Sequence, residues 1–382
     1  MSLTYKNRIF GLDVVRAIAI SMVVMAHAMF IFKGYNHSFF DVLNIFGFLG
    51  VEIFFVLSGF LIGGILFRIF KSNHVSFKDV KHFWVRRWFR TLPLYFLFLI
   101  LNVSIALLLG IELPRSLWKY VFFLQNFSEV HIAFFPESWS LSVEEFAYLL
   151  APIMLLGFFK IPLKIRNMAN EKIFLLASIF LVILFFLLKV FYHVNTPNFQ
   201  SLEIWNSNLK AIVIYRLDAI FYGFIVLYYF KTQPSFIKKI KNKLFLMGIF
   251  MLFVVIIVLP SMGVTIENHP WYWNIGYLPL NSIAIAITLP YFYYLKNSSQ
   301  IAQKMILNIS LYSYSMYLFH YSFLLFLLDY VIIFEELDIL SRIIWVLIYL
   351  WLVYVTSKGI YIFFEKPLTD LRDHQKIRKF LE

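Results

Sequence analysis

Two ionisable side chains, Arg16 and His27, interrupt the first apolar segment of the chain and are eleven residues apart. In an α-helix this step corresponds to about 1100°, roughly 20° more than three full turns, so both side chains would lie on one face. Their separation along the helix axis would be about 16 Å. Asp13, three residues before Arg16, would lie on the same face and can form an ion pair with it. The pattern predicts either a functional polar stripe or a structural Asp–Arg pair beside a hydrogen-bonded histidine.

Further polar side chains interrupt the other apolar segments, where an ionised group costs about 2.5–3.5 kcal/mol of insertion free energy. Each one is therefore a candidate for function, with buried structural pairing as the alternative. Beyond the first segment the candidates are Glu52, Ser58, Trp139, Ser140, Glu144, Glu145, Arg216, His320 and Glu365. The adjacent carboxylates of Glu144 and Glu145 are difficult to explain by packing alone, whereas a single histidine such as His320 is more often structural.

A cluster of three arginines, Arg86, Arg87 and Arg90, precedes and enters the third apolar segment. Guanidinium groups bind phosphates through paired, charge-assisted hydrogen bonds, so this cluster is a candidate site for a phosphorylated ligand. The alternative is ordinary anchoring of the helix end at the cytoplasmic surface, where Lys and Arg are enriched.

The composition indicates the elements that position these side chains. Of 382 residues, 61% are hydrophobic and 14% are charged, and the mean hydropathy is +0.78. Apolar runs of about 20 residues match the thickness of a bilayer core. We therefore predict an all-α polytopic membrane protein, a single integral membrane domain over 1–382 with no appended extracytoplasmic domain. The predicted spans are 11–32, 42–67, 88–109, 139–159, 173–192, 209–230, 244–261, 272–295, 307–333 and 342–364.

The basic residues predict the orientation of these spans. With the N-terminus in the cytoplasm, the inner segments hold 25 Lys and Arg residues and the outer segments hold six. This asymmetry predicts ten spans with both termini in the cytoplasm. The net charge of +13 is spread over short loops, which favours anionic lipids over nucleic acid as partner. The chain has no cysteine, which excludes a thiolate metal site, and no His spacing motif predicts a metal ion.

Taken in order, the motifs resemble those of acyltransferase family 3, a group of membrane O-acyltransferases that modify bacterial surface glycans. The Arg-x10-His pattern of Arg16 and His27 resembles the signature of the family, and Arg87 and Arg90 match its Arg-x-x-Arg block. The further matching blocks are "GVEIFFVLSGFLI", "SWSLSVEEFAYLLAP", "RLDAIFYG", "SYSMYLFH" and "FEKP". Any one block is weak evidence in a Phe-rich chain, but the resemblance runs from residue 11 to residue 367.

The resemblance implies an O-acetyltransferase of the bacterial inner membrane. The donor would be cytoplasmic acetyl-CoA, used as a substrate rather than held as a permanent cofactor. The acceptor would be a hydroxyl of a surface or lipid-linked glycan, such as O-antigen, capsule or lipopolysaccharide. Members of the family often carry an extracytoplasmic esterase-like domain. We therefore expect either that a separate extracytoplasmic partner protein performs the final transfer or that this protein transfers the acyl group to the glycan directly.

The resemblance also suggests roles for particular residues. His27 would be either the general base or a covalent acyl carrier, and Glu144 or Glu145 would orient it. Arg16 would bind the CoA moiety or the thioester, and the Arg86, Arg87 and Arg90 cluster, together with Ser58, would bind the donor. Three alternatives remain: a transporter or flippase that uses the buried charges, a non-catalytic assembly subunit, and an acyltransferase with another acyl group or a lipid acceptor.

Overall fold

Ten long apolar helices make up most of the computed structural model, which describes residues 8–35, 38–72, 75–130, 134–160, 168–196, 200–296 and 299–371. Within these ranges the chain contains no β-strand. The helices, numbered α1 to α10, are Phe10–Phe32, Ile45–Lys71, Phe77–Leu108, Ser138–Lys160, Asn170–Asn195, Val213–Thr232, Pro234–Ser261, Tyr272–Tyr293, Gln300–Val331 and Ile339–Leu371. Each is long and apolar enough to cross a membrane, so the predicted all-α polytopic fold with ten spans is confirmed.

Helix α3 begins eleven residues before its predicted start. Ser76 and Asp79 form a capping box, in which the Ser76 amide and hydroxyl both donate to the Asp79 carboxylate at 2.9 Å. Hydropathy misses this first part of the helix because it is amphipathic and basic. Arg87 and Arg90 therefore lie about 15–20 Å along the axis of α3 from its first residue.

Helices α2 and α6 approach each other closely because glycines line their contact. A Cβ atom at Gly59 would overlap the carbonyl oxygen of Ile220, and one at Gly223 would overlap the carbonyl oxygen of Val56. Small residues allow backbones to come into contact in a membrane, where packing rather than the hydrophobic effect holds helices together. This contact brings the polar residues of α2 and α6 into the interior of the bundle.

The helices differ in how much of their surface the bundle covers. Within the most apolar 18-residue stretch of each helix, 17% of the residues are buried in α7 and 22% in α10. The corresponding fraction is 61% in α2, α6, α8 and α9. Helices α7 and α10 therefore lie at the periphery, where they face lipid. The central helices carry most of the polar candidates from the sequence.

Helix α9 contains a π-helical turn, His320–Leu325. Such turns displace one residue outward from the regular helical path and occur frequently at functional sites. Here the turn begins at His320, one of the polar candidates.

The two ends of the bundle differ in charge. We call the end at which α1 begins and α2 ends the basic end, because Arg8, Arg68 and Lys71 lie there. The opposite end is the one at which α1 ends.

Candidate active site

A cavity of about 440 Å³ lies among α1, α2, α3, α4 and α9. This volume is within the range of small-molecule sites in proteins. The polar side chains that line it are Arg8, Asp13, Arg16, Ser58, Arg87, Arg90, Thr91, Ser140, Glu144, Ser313, Tyr314 and Tyr317. Seven of the sequence candidates, taken from four different helices, are thus brought together around one space. The other eight candidates are not among the lining residues: His27, Glu52, Arg86, Trp139, Glu145, Arg216, His320 and Glu365.

Asp13 organises the arginines at the basic end of the cavity. Its carboxylate accepts a hydrogen bond from Arg8 Nε at 3.0 Å and one from Ser310 Oγ at 2.6 Å. Arg16 Nη1 lies 3.6 Å from Asp13 Oδ1. The ion pair predicted between Asp13 and Arg16 is therefore present, and Arg8 joins it from the segment before α1. The cluster holds two guanidinium groups beside one carboxylate, which leaves the end of the cavity positively charged.

Arg87 is held by Tyr148 and Glu144. Its guanidinium lies 4.0 Å from the centre of the Tyr148 ring and donates to the Tyr148 hydroxyl. The Tyr148 hydroxyl in turn donates to Glu144 Oε2 at 2.5 Å, and Ser58 Oγ lies 2.6 Å from the same hydroxyl. Arg87 Nη2 lies 3.7 Å from Glu144 Oε2. Because Glu144 contacts both Arg87 and the tyrosine that holds it, Glu144 orients Arg87.

The structure does not bring Glu144 or Glu145 to His27, although the resemblance suggested that one of them orients it. Glu144 is engaged with Arg87 instead. Glu145 is buried outside the cavity lining, and its Oε2 atom has no hydrogen-bond partner among the described residues. The two carboxylates are adjacent in sequence but point to different sides of α4, because successive helical residues are about 100° apart.

Arg90 is an exposed arginine of the cavity lining. Within the described ranges no carboxylate lies at ion-pair distance from it. Glu365 interacts with Arg90 electrostatically from α10, and its Oε2 atom accepts a hydrogen bond from Ser315 Oγ at 2.5 Å. Arg86, the third arginine of the predicted cluster, is exposed and lies outside the lining. The cluster is thus divided, with Arg87 and Arg90 directed to the cavity.

His27 and His320 form a hydrogen-bonded pair, with 2.8 Å between His27 Nδ1 and His320 Nε2. The His27 ring also stacks on Tyr321, with 4.2 Å between ring centres. His320 is fully buried, and its Nδ1 atom lies 2.7 Å from the Tyr317 carbonyl oxygen. A catalytic role was predicted for His27, and His320 was a further candidate for which a structural role was favoured. The structure shows one unit instead, because α1 and α9 pack side by side.

The cavity ends next to this histidine pair. Ser140 Oγ and the Tyr317 hydroxyl, both in the cavity lining, lie 2.6 Å apart. The Tyr317 ring is 5.7 Å from the His320 ring, measured between centres. A single aromatic side chain therefore separates the cavity from the histidines. The cavity thus extends from an arginine-rich end toward the histidine pair, with Tyr317 between the cavity and the histidines.

Glu52 and Arg216, both candidates from the sequence, form a fully buried ion pair away from the cavity. Ser282 Oγ donates to Glu52 Oε2 at 3.0 Å, which adds α8 to the contact between α2 and α6. A second buried pair joins Lys189 of α5 to Asp218 of α6. These charges compensate one another inside the bundle, so the structural interpretation applies to Glu52 and Arg216.

Lys210 is a polar residue near the opposite end that the sequence motifs did not single out. It precedes α6, and its ammonium nitrogen lies 5.7 Å from the Phe48 ring centre and 5.9 Å from that of Trp139. It donates to Asn206 Oδ1 at 3.0 Å and interacts electrostatically with His27. Burial lowers the pKa of Lys210 to about 8. Trp139 thus contributes to the surroundings of a cation rather than to the cavity.

Tyr148, Tyr314 and Tyr317 are further site residues that the sequence did not single out. Tyr148 lies four residues after Glu144, a spacing at which side chains meet on a helix, so this pairing was available in the sequence. The positions of Tyr314 and Tyr317 depend on how α9 packs against α3 and α4. Among the described residues no group of three His, Cys, Asp or Glu side chains is arranged to hold a metal ion.

Comparison with known proteins identifies the family. A family model described as an acyltransferase domain, that of family 3, matches residues 9–361. The chain belongs to acyltransferase family 3. The match includes Arg16, His27, Arg87, Arg90 and the π-helical turn of α9, so the cavity and the histidine pair lie within the family's own domain. With its ten apolar helices, this member of the family is a multi-pass membrane protein.

Curated relatives carry the names of O-acetyltransferases. The chain is 26% identical over 344 residues to the O-acetyltransferase OatA of Staphylococcus aureus strain NCTC 8325, covering 84% of this chain and 51% of the relative. It is 31% identical over 168 residues to the peptidoglycan O-acetyltransferase OatA of Listeria monocytogenes, covering 39% of this chain and 24% of the relative. It is 28% identical over 213 residues to the putative peptidoglycan O-acetyltransferase YrhL of Bacillus subtilis, covering 50% and 32%.

This family 3 chain thus spans about half the length of the Staphylococcus aureus relative that it matches. No solved structure matches it.

Proposed function

We propose that this membrane protein is an O-acetyltransferase that takes an acetyl group from acetyl-CoA at the basic end and passes it to a glycan hydroxyl near His27. The observation that carries the proposal is that the cavity ends one side chain away from the histidine pair. One cavity begins among four arginines and ends at Ser140 and Tyr317, beside the His27–His320 pair. Family membership and the names of the relatives support acetyl transfer as its chemistry.

The basic end suits the donor. Acetyl-CoA carries a diphosphate and a phosphate on its nucleotide part, and guanidinium groups bind such anions through charge-assisted hydrogen bonds. Arg90 is exposed and has no carboxylate at ion-pair distance among the described residues, so it is the first contact that we assign to a donor phosphate. The narrow interior of the cavity would then receive the pantetheine arm and its thioester. Arg16 also lines the cavity.

His27 suits the chemical step, because an imidazole in its neutral form can accept the proton of an attacking hydroxyl. The hydroxyl oxygen then forms a bond to the acetyl carbonyl carbon, the carbon–sulfur bond breaks, and the CoA thiolate takes up the proton. In the alternative mechanism, His27 is a covalent carrier. One of its ring nitrogens attacks the acetyl carbonyl carbon and releases CoA, and the glycan hydroxyl takes the acetyl group from the histidine in a second step.

The acceptor that we favour is a peptidoglycan-like glycan. The sequence motifs alone suggested O-antigen, capsule or lipopolysaccharide, but two relatives are named for peptidoglycan. The charge asymmetry favours the basic end in the cytoplasm and the protein in the bacterial cytoplasmic membrane, where acetyl-CoA and the wall glycan lie on opposite sides. Of the two alternatives for the acceptor side, this proposal takes direct transfer at His27, without a separate extracytoplasmic partner protein for that step.

The proposal is tested by measuring base-labile acetate on wall glycans, by mass spectrometry, in cells with the wild-type gene, without it, or with His27→Ala. We expect the wild type alone to add one acetyl group per modified sugar, and His27→Ala to behave like the deletion at equal protein level. His193→Ala is the matched control, since His193 also lies near the opposite end but contacts Asn274 and not the cavity. Normal acetylation in His27→Ala would contradict the assignment, and substrate transport without acyl-CoA would contradict the function.

A further inference from the structure

The two hydrogen bonds of His320 determine where the protons of the histidine pair lie. A backbone carbonyl oxygen can only accept, so the contact of 2.7 Å between the Tyr317 carbonyl and His320 Nδ1 requires a proton on Nδ1. In a neutral imidazole the other ring nitrogen then carries a lone pair and accepts. Hydrogen-bond partners of this kind are the basis on which a histidine tautomer is assigned.

The tautomer of His320 sets that of His27 in turn. His320 Nε2 lies 2.8 Å from His27 Nδ1 and, as an acceptor, requires a donor at that position. His27 Nδ1 therefore holds the proton, and the lone pair of His27 is on Nε2. The chain of donors and acceptors starts at a backbone carbonyl, which cannot reverse its role. The His27 side chain also hydrogen-bonds the Val23 carbonyl of its own helix, so His320 acts together with this second acceptor.

The backbone around His320 is itself anchored. His320 opens the π-helical turn of α9, and its carbonyl oxygen accepts a hydrogen bond from the Tyr349 hydroxyl of α10 at 3.2 Å. The Ser322 hydroxyl, within the same turn, donates to Glu137 Oε1 at 2.7 Å. The His320 ring is fully buried. The irregular turn thus presents the ring to α1 in one orientation.

We propose that His320 is a positioning residue that holds His27 in the Nδ1–H tautomer, so that Nε2 is the nitrogen that takes the proton of the acceptor hydroxyl. The inference rests on the proposed acetyl transfer. In that step the hydroxyl proton moves to His27 Nε2, the oxygen bonds to the acetyl carbon, and the thiolate of CoA leaves and later receives the proton. While His27 is cationic, its Nδ1–H still donates to His320 Nε2, and this contact stabilises the imidazolium.

This role corresponds to that of the carboxylate in hydrolase triads, which keeps the base in the productive tautomer. The difference is that a neutral imidazole, backed by a carbonyl, performs the task. Such a partner adds no negative charge to a buried site. It also explains why neither Glu144 nor Glu145 is needed at the His27 ring.

The test compares His320→Gln with His320→Met in membranes that contain the full chain, with acetyl-CoA as donor and a soluble peptidoglycan fragment as acceptor. Gln can place an amide oxygen near the position of His320 Nε2 and accept from His27, whereas Met has a similar shape without a comparable acceptor. In hydrolase triads, replacing the carboxylate that holds the histidine tautomer lowers kcat by about 10⁴-fold. We therefore expect His320→Met to lower kcat by about 10²- to 10⁴-fold. The KM values for both substrates should not change. His320→Gln should retain activity within about tenfold of wild type.

A kcat for His320→Met equal to that of wild type would overturn the proposal, and so would an equal loss in both variants. Nitrogen-15 NMR of histidine-labelled protein gives an independent readout, with the His27 signals identified by their absence in His27→Ala. We expect the proton on Nδ1 in wild type and a mixture of tautomers in His320→Met. A proton on Nε2 in wild type would overturn the proposal. Because the spectrum requires no turnover, it remains decisive even if the acetyl-transfer function itself were to fail.

Discussion

The two cavity-lining arginines of α3 show how one residue type serves two purposes. Arg87 is engaged by the Tyr148 ring and by Glu144, so much of its charge is already compensated. Arg90 lies three residues further along the same helix and is exposed at the cavity. Arg90 is therefore the guanidinium of this pair that is available to a donor phosphate, whereas Arg87 is already engaged. The side chains that surround a guanidinium determine whether it holds the protein together or holds a ligand.

At this scale we expect Arg90→Gln to raise the KM for acetyl-CoA by about 10- to 100-fold, with kcat at saturating donor little changed. The range corresponds to the loss of one hydrogen bond to a charged group, about 1.5–3 kcal/mol. Arg86→Gln is the matched control, because Arg86 lies on the same helix but outside the cavity lining. The measurement is initial-rate kinetics in membranes. An equal rise in KM for Arg86→Gln would mean that general surface charge, and not the cavity, binds the donor.

At the scale of helices, the contact between α2 and α6 positions the polar interior. Its glycines permit backbone contact, and the buried Glu52–Arg216 pair lies on the same two helices. Breaking one partner of a buried pair leaves an uncompensated charge, which is costly. Close packing and charge compensation therefore act on the same interface, and the helix that carries Ser58 depends on both.

We expect Gly59→Ala to lower the melting temperature of the purified protein, because the new methyl group would overlap the Ile220 carbonyl oxygen. Overpacking of this kind costs about 1–3 kcal/mol of unfolding free energy. Gly157→Ala is the control, since no atom lies within 4 Å of a Cβ there and alanine favours the helix. Thermal unfolding in detergent, followed by circular dichroism, measures both. Equal melting temperatures of the two variants would show that α2 and α6 move apart to accept the methyl group without loss of unfolding free energy.

At the scale of the whole molecule, the distribution of charge assigns a direction to the reaction. The cavity begins among arginines at the end where α1 starts, and the histidine pair lies toward the other end. Acetyl-CoA is a cytoplasmic metabolite, so the proposed function requires the basic end to face the cytoplasm. The same orientation is predicted independently by the 25 to six asymmetry of Lys and Arg.

The absence of native cysteine makes this orientation directly testable with single-cysteine variants. Glu203 is exposed before α6, and Gln233 is exposed between α6 and α7. We expect a membrane-impermeant maleimide to label Glu203→Cys in intact cells and Gln233→Cys only after the membrane is permeabilised. The reverse result would place the arginines on the side without acetyl-CoA and would contradict the proposed direction of transfer.

The sequence alone determined those features that depend on local periodicity and composition. The ten spans follow from hydropathy, and the Asp13–Arg16 pair follows from residues three apart on one helix. The family was also apparent from short motifs in a set order, and the family model matches residues 9–361. Span ends were less accurate: α3 begins at a capping box that hydropathy does not register. All of these features involve residues that are near one another in the chain.

Only the tertiary structure determined which polar groups meet. His27 and His320 are 293 residues apart in sequence, and Glu52 and Ser282 are 230 apart, yet each pair is hydrogen-bonded. Adjacent residues on one helix can be separated in the same way, as Glu144 and Glu145 are. Helical periodicity fixes the face on which a side chain lies, but the partner on that face depends on helix packing. Helix packing depends on many contacts between residues that are far apart in sequence, so a local sequence pattern does not predict which helices meet.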